Sequence, residues 1–389
     1  MVDIKNKRLD NIEVLRTLAM FMVVFWHSSS HFYSDHGLIV GKNIADIINY
    51  VLVQYSVILS SVAVNVYVLI SGYFLLGKDF KSHRFIKVWF QTMFYSLLFC
   101  LAFLLFGKDG VSLTDIPKAF LVMRYDHYWF VTCYLGVILV APFMRMVVER
   151  IPRNTYLKLL SVLLLVSTDF LLGYPFGDML GFNLGYSFVW FVTLFFIVGY
   201  IKKYDIHLGK YNYISNYFII GLIIFLYFLV RASLKVIFFG GQFEIQDLHY
   251  NSFPLILAVF LFIWFKNHTF TNNFCVKLFV KIAPYTFGVY LIHENVWVKS
   301  VLWHNVLWQN IMDKFNIPLP YMIFYCLFVF FVCILFDKIR CLFFKYIGID
   351  KVLGKISQNV DTFILKVSLN IDKIVEKKSY ETINNNSSL

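Results

Sequence analysis

Charge is scarce in this chain. Of its 389 residues, 15% are Asp, Glu, Lys or Arg, while 59% are hydrophobic and 20% aromatic. A water-soluble domain carries roughly a quarter charged residues and about half apolar ones. The 44 phenylalanines also exceed what one soluble core can hide, so a soluble globular protein is excluded. Cysteine is scarce as well. Cys100, Cys133, Cys275, Cys326, Cys333 and Cys341 fall in or beside apolar segments, with no CxxC and no metal-like clustering. They are expected to be small buried hydrophobes, and neither a disulfide framework nor a bound metal is implied. A small-residue cleavage site is missing after the first apolar block, which runs instead into "HSSSHFYSDHG". That block is therefore a retained helix and not a signal peptide. No internal repeat and no appended soluble domain is visible.

What the chain does have is long apolar blocks separated by short polar punctuation. Spanning a bilayer takes about 20 apolar residues in a helix. With that ruler there are ten candidate spans, at 12–32, 51–76, 87–106, 128–148, 156–173, 186–201, 213–231, 252–266, 282–301 and 319–344. The formal charge of +12 sits between the blocks, so it marks topology and not a nucleic-acid surface. One set of loops holds fourteen basic residues, among them Lys78, Lys81, Arg84, Arg145, Lys202 and Lys266. The alternate, longer loops hold eight, including Lys42, Lys108 and Lys314. By the positive-inside rule both termini are cytoplasmic. The expected fold is thus all-α: a polytopic integral membrane protein of about ten transmembrane helices, N-in and C-in. Residues 1–345 form the membrane domain and 346–389 a basic tail. In that tail Ile356, Val360, Phe363, Ile364, Val367, Ile371 and Ile374 recur at threes and fours. Such spacing gives a helix with one apolar face, suited to the cytoplasmic membrane surface or, second, to a partner helix. The final "SYETINNNSSL" has the composition of a disordered end.

Ionisable side chains inside a span cost about 2.5–3.5 kcal/mol by insertion scales and are functional candidates by default. The first span holds Glu13, Arg16, His27 and His31; the third starts with Arg84 and Lys87. Asp126 and His127 open the fourth, Asp169 lies in the fifth, and His293 and Glu294 lie in the ninth. Arg16 and His27 are eleven residues apart. At about 100° per residue they share a helix face, and at 1.5 Å per residue they are about 16 Å apart along it. A forked guanidinium at the cytoplasmic mouth suits phosphate groups, and an imidazole further in suits proton transfer. The competing reading is a snorkelling arginine beside a histidine bonded to a neighbouring helix.

With these residues in view, the chain resembles the membrane acyltransferases of the acyltransferase-3 type, which modify bacterial cell-surface glycans. That family opens with an acidic residue, an arginine three later and a histidine after ten more. Glu13, Arg16 and His27 occupy those places, with Glu for the more usual Asp. Further landmarks follow in order: "VYVLISGYFL" with Ser71 and Gly72, "HRFIKVWF", "HYWFVTCYLGVILVAPFM" with His127, Trp129 and Pro142, and "APYTFGVYLIHE" with Gly288, Tyr290 and His293. The resemblance runs from residue 8 to about 340.

The resemblance implies transfer of an acyl group, usually acetyl, from cytoplasmic acyl-CoA to a hydroxyl of an envelope glycan or its lipid-linked precursor. The setting would be a bacterial cell membrane, with acetyl-CoA as co-substrate. Carried over, Arg16 holds CoA phosphates, with Arg84 and Lys87 as further basic contacts. His27 is the general base, Glu13 steadies Arg16, and His293 lines the same cavity. Lys87 and Phe90 replace the arginine and proline of the family's third-helix motif, which weakens that phosphate contact. The chain lacks the extracytoplasmic hydrolase-like domain fused to some members, so any acyl relay would be a separate protein. For Ser71-Gly72 a packing or turn role is the plainer expectation, and Trp129 suits an interfacial belt position at least as well as a place in the site. A rival from another class is a transporter or flippase of glycan lipids using the same histidines as a proton relay. It calls for inverted repeats and broken midplane helices, and the sequence shows no clear instance.

Overall fold

The computed structural model describes residues 10–36, 44–106, 111–125, 127–168, 183–239, 253–271, 273–303 and 318–386. Among them there is no strand. The main helices in chain order are α1 (Asp10–His36), α2 (Ile44–Ser60), α3 (Ala63–Leu75), α4 (Ser82–Leu105), α5 (Asp115–Phe120), α6 (Trp129–Arg150), α7 (Arg153–Ser167) and α8 (Phe188–Lys203). They are followed by α9 (Ile214–Phe239), α10 (Phe253–Asn267), α11 (Phe274–Ile282), α12 (Thr286–His293), α13 (Val298–Trp303), α14 (Pro318–Ile347) and α15 (Ile349–Asn386). Among the described residues, six stretches are apolar and long enough to cross a membrane: Ile47–Leu75, Ser82–Leu105, Trp129–Arg150, Ile214–Phe238, Phe274–His293 and Leu319–Ile347. Phe253–Asn267 is apolar but shorter. The chain is a polytopic, all-helical membrane protein. On α14, Phe324, Phe328, Phe331 and Leu335 are exposed at steps of four, three and four. That is one helix face turned outward to lipid.

Two of the ten apolar blocks are not single straight helices. The second breaks at Ser61, whose hydroxyl donates to Ile58 O at 2.7 Å, and resumes as α3. The ninth starts earlier than its apolar run suggests, at Phe274, and ends at His293; α13 is separate. Lys42, Lys108, Asp126, Asp169 and Lys314 lie outside the described residues. Beyond Gly348, whose φ of +78° turns the chain, α15 is helical to Asn386, into the stretch that composition alone assigns to disorder.

The helix α1 sits at the centre, packed on α2, α3, α10, α11, α12 and α14. Its start carries Asp10 and Glu13 in the first turn, where negative charge suits the helix dipole. Asn11 Nδ2 donates to Phe265 O at 2.6 Å, and Thr17 Oγ1 to Phe279 O at 3.0 Å, tying α1 to α10 and α11. The outer layer is held by close approach at small residues. A Cβ on Gly72 of α3 would meet Val198 Cγ1 of α8 at 2.7 Å, so Ser71-Gly72 is a packing element inside a helix and not a turn. Next to it the fully buried Asn65 accepts from Trp190 Nε1 at 2.9 Å. Each satisfies a polar group that could find no water there.

Asn65→Ala is expected to destabilise the protein by about 1–3 kcal/mol, because the Trp190 N–H is left unpaired. The double variant Asn65→Ala/Trp190→Phe should recover part of that loss. Thermal unfolding of the purified proteins in detergent measures both.

Candidate functional site

Along α1 the candidate residues fall on one stripe. Near its N-terminal end the Arg16 guanidinium meets the buried Glu13 carboxylate at 2.6 Å, one turn back. Its carbon also lies 6.0 Å from the centre of the Phe74 ring. The pair holds the fork in place while leaving donors of Arg16 uncommitted. Three turns on, His27 Nδ1 lies 3.0 Å from His293 Nε2, joining residues far apart in the chain.

The geometry around His293 sets the tautomers. Its Nδ1 is 2.6 Å from the carbonyl oxygen of Val289. A carbonyl only accepts, so the Nδ1 proton points there and Nε2 of the neutral ring carries a lone pair. His27 must then donate its own Nδ1–H to His293 Nε2. The open nitrogen of the pair is therefore His27 Nε2, a proton acceptor on a residue that lines an apolar cavity. Beside the same Nδ1, at 3.3 Å, lies Glu294 Oε1.

The short helix α12 carries this arrangement because its end is locked. The buried Asn295 donates from Nδ2 to Tyr128 Oη at 2.8 Å, and Tyr128 donates on to Leu291 O at 2.8 Å. Asn295 Oδ1 accepts from Trp297 N at 3.1 Å. Carbonyls and donors at the helix end are thereby met inside the protein. An aromatic wall closes the outer side. The Trp303 ring stacks on His31 at 6.1 Å and meets His293 edge-on at 6.2 Å.

The cavity encloses about 540 Å³ of space, open solvent at its mouth included. One wall is the α1 stripe Met20, Val23 and His27; another is the break between α2 and α3, with Ser60, Ser61 and Tyr67. Trp129, Phe130, Phe287 and Tyr290 complete it. Trp129 thus lines the cavity. The Tyr67 hydroxyl is buried beside Thr286. The lining is mostly apolar, and His27 brings an imidazole into it.

Arg84 and Lys87 are placed elsewhere. Arg84 lines a second recess with Lys78, Lys81 and Pro142, which shares no lining residue with the histidine cavity. Asp79 in that recess is taken by Arg145 at 3.0 Å, leaving the recess basic. Lys87 is exposed one turn further along α4 and is not part of it. The structure therefore brings together Glu13 with Arg16 and His27 with His293, but does not join Arg84 or Lys87 to either pair.

Sequence reasoning missed two features. Glu294 counts in the sequence only as one of the ionisable residues of the ninth span; its approach to His27 is tertiary. The second is Asp337, fully buried in α14. Its carboxylate accepts from Arg340 Nε at 2.7 Å, Tyr95 Oη at 2.8 Å and Gln91 Nε2 at 3.2 Å. An Asp-x-x-Arg pair inside an apolar block was the available signal. Gly288 of α12 rests directly against Asp337, and any Cβ there would run into the carboxyl group.

One group of metal-type side chains occurs among the described residues: His27, His293 and Glu294, with ligand atoms within 4.8 Å of one another. Two of those atoms already share a proton in a 3.0 Å hydrogen bond. The set is better matched to proton transfer than to a cation.

A family model described as an acyltransferase domain matches residues 9–338. No curated protein and no solved structure matches the chain.

Gly288→Ala is expected to lower stability by about 1–3 kcal/mol through overpacking against the pinned Asp337. Gly77→Ala, whose Cβ would meet only Lys202 Nζ at 3.2 Å, should be close to neutral. Comparing their thermal midpoints tests the contact between α12 and α14.

Proposed function

The chain belongs to the acyltransferase-3 family of membrane acyltransferases, and on that premise we propose that it is an O-acyltransferase, in particular an O-acetyltransferase. Its donor is cytoplasmic acyl-CoA, and its acceptor is a hydroxyl of a cell-surface polysaccharide or of its lipid-linked precursor. The observation that carries this reading is the open Nε2 of His27, created by the His293 hydrogen bond at the wall of an apolar cavity.

In the proposed mechanism the acceptor hydroxyl gives its proton to His27 Nε2 as its oxygen attacks the thioester carbonyl. The tetrahedral intermediate collapses with cleavage of the C–S bond. The ester leaves with the glycan, and the CoA thiolate takes the proton back from His27. Arg16 lies at the other end of the same face, about 16 Å away by helix rise. There it holds donor phosphate oxygens through its uncommitted N–H groups. The basic recess of Arg84, Lys78 and Lys81 would contribute a further phosphate contact from the same side. The arrangement we propose has ten spans, with both termini cytoplasmic, in a bacterial cell membrane. An apolar slot then lets the two substrates meet from opposite faces, directly or through a separate extracytoplasmic relay protein.

The mass of the surface glycan tests this. A deletion strain complemented with the wild-type gene should regain acetyl groups. His27→Ala should lose at least 10²-fold of that activity, the usual contribution of a general base. Arg16→Ala should lower it through weaker donor binding. Normal acetylation with lost glycan export in His27→Ala would instead favour a glycan-lipid transporter.

A further inference from the structure

The histidine pair has a third neighbour that its proton chain does not use. Glu294 follows His293 directly and its position is fixed from both sides. Its own N–H donates to Tyr290 O at 3.1 Å, and the next residue, Asn295, is anchored through its side chain to Tyr128. The carboxylate is thereby held with Oε1 3.3 Å from His27 Nδ1. That oxygen is shut off from solvent and accepts no hydrogen bond among the described residues. A buried carboxylate oxygen without a donor is costly unless a charge or a proton arrives to meet it.

The other groups facing His27 cannot supply a negative charge. His31 lies on the same helix, His293 on α12 and Lys299 on α13. The Glu13 carboxylate lies further down α1 and is taken up by Arg16. Proton capture at His27 Nε2 makes the ring a cation in a wall of apolar side chains, where uncompensated charge is expensive. At that moment the Nδ1–H has two acceptors within reach, the lone pair of His293 at 3.0 Å and the carboxylate of Glu294 at 3.3 Å.

We propose that Glu294 is a positioning residue of the histidine pair, holding a carboxylate against His27 Nδ1 to balance the positive charge formed when Nε2 takes the acceptor's proton. It touches neither substrate. No atom is transferred to it, and the proton on His27 Nε2 returns to the thiolate as before. The carboxylate is preorganised, so the charge is met without rearrangement during the step. The role rests on the acyltransferase reading above.

Membrane vesicles from expressing cells, supplied with acetyl-CoA, give the test through release of free thiol together with acetyl mass on the glycan. Vesicles carrying His27→Ala set the background. Glu294→Gln keeps the shape and removes the charge. It should lower kcat on the order of 10²-fold, as for loss of one preorganised electrostatic contact. The KM for acetyl-CoA should stay within about twofold, because the effect arises only in the transition state. Glu294→Asp should keep a substantial part of the rate. Each variant is scored at a wild-type thermal midpoint, so that a folding defect is not counted. A wild-type kcat in Glu294→Gln overturns the proposal, as does a raised KM at unchanged kcat. So does a fall in thermal midpoint in both variants, which marks a purely structural residue. Wild-type vesicles that neither release thiol nor acetylate glycan overturn the acyltransferase reading itself, and this role with it.

Discussion

A polar group inside an apolar helical bundle has no water to turn to, so it must find its partner within the protein. That constraint organises most of this structure. Glu13 meets Arg16, Asn65 meets Trp190, Asn295 meets Tyr128, and Asp337 gathers Arg340, Tyr95 and Gln91. Each contact joins an apolar helix to another or steadies one helix internally. The constraint is left unmet at a few places among the described residues, Asn212 Oδ1 and Glu294 Oε1 among them. Of these, Glu294 Oε1 lies 3.3 Å from the cavity residue His27.

The location of that cavity follows from broken helices. A straight second span would run past α1 without leaving a pocket; the interruption at Ser61 opens one wall. A straight ninth span would carry His293 inside a regular helix with its neighbours stacked above it. Instead α12 ends at His293, and the locked turn after it brings Glu294 against His27. Gly288, resting on Asp337, sets how close α12 lies to α14, and so where His293 sits relative to α1. The buried ionic cluster in α14 is thus part of the support of the histidine pair, although it touches neither ring.

Much of this was legible along the chain. Apolar blocks and their charge punctuation report the membrane class, because span length and hydropathy are local properties. The shared face of Glu13, Arg16 and His27 follows from helix pitch alone. His293 could be named from its place in an apolar segment and from a resemblance. The basic contacts were less secure: Arg84 lies in a recess of its own and Lys87 is exposed outside it. Their spacing on α4 says nothing about whether α4 faces α1.

The sequence by itself therefore determined the class of protein, the helical blocks and the ordered stripe on α1, all of which depend on residues within a few turns of one another. Only the tertiary structure decided which nitrogen of His27 is open. That choice depends on the Val289 carbonyl, on His293 and on the turn holding Glu294, more than 250 residues away in the chain. A hydrogen bond fixes a tautomer only when donor and acceptor meet at about 3 Å. No pattern of residues along α1 contains that distance.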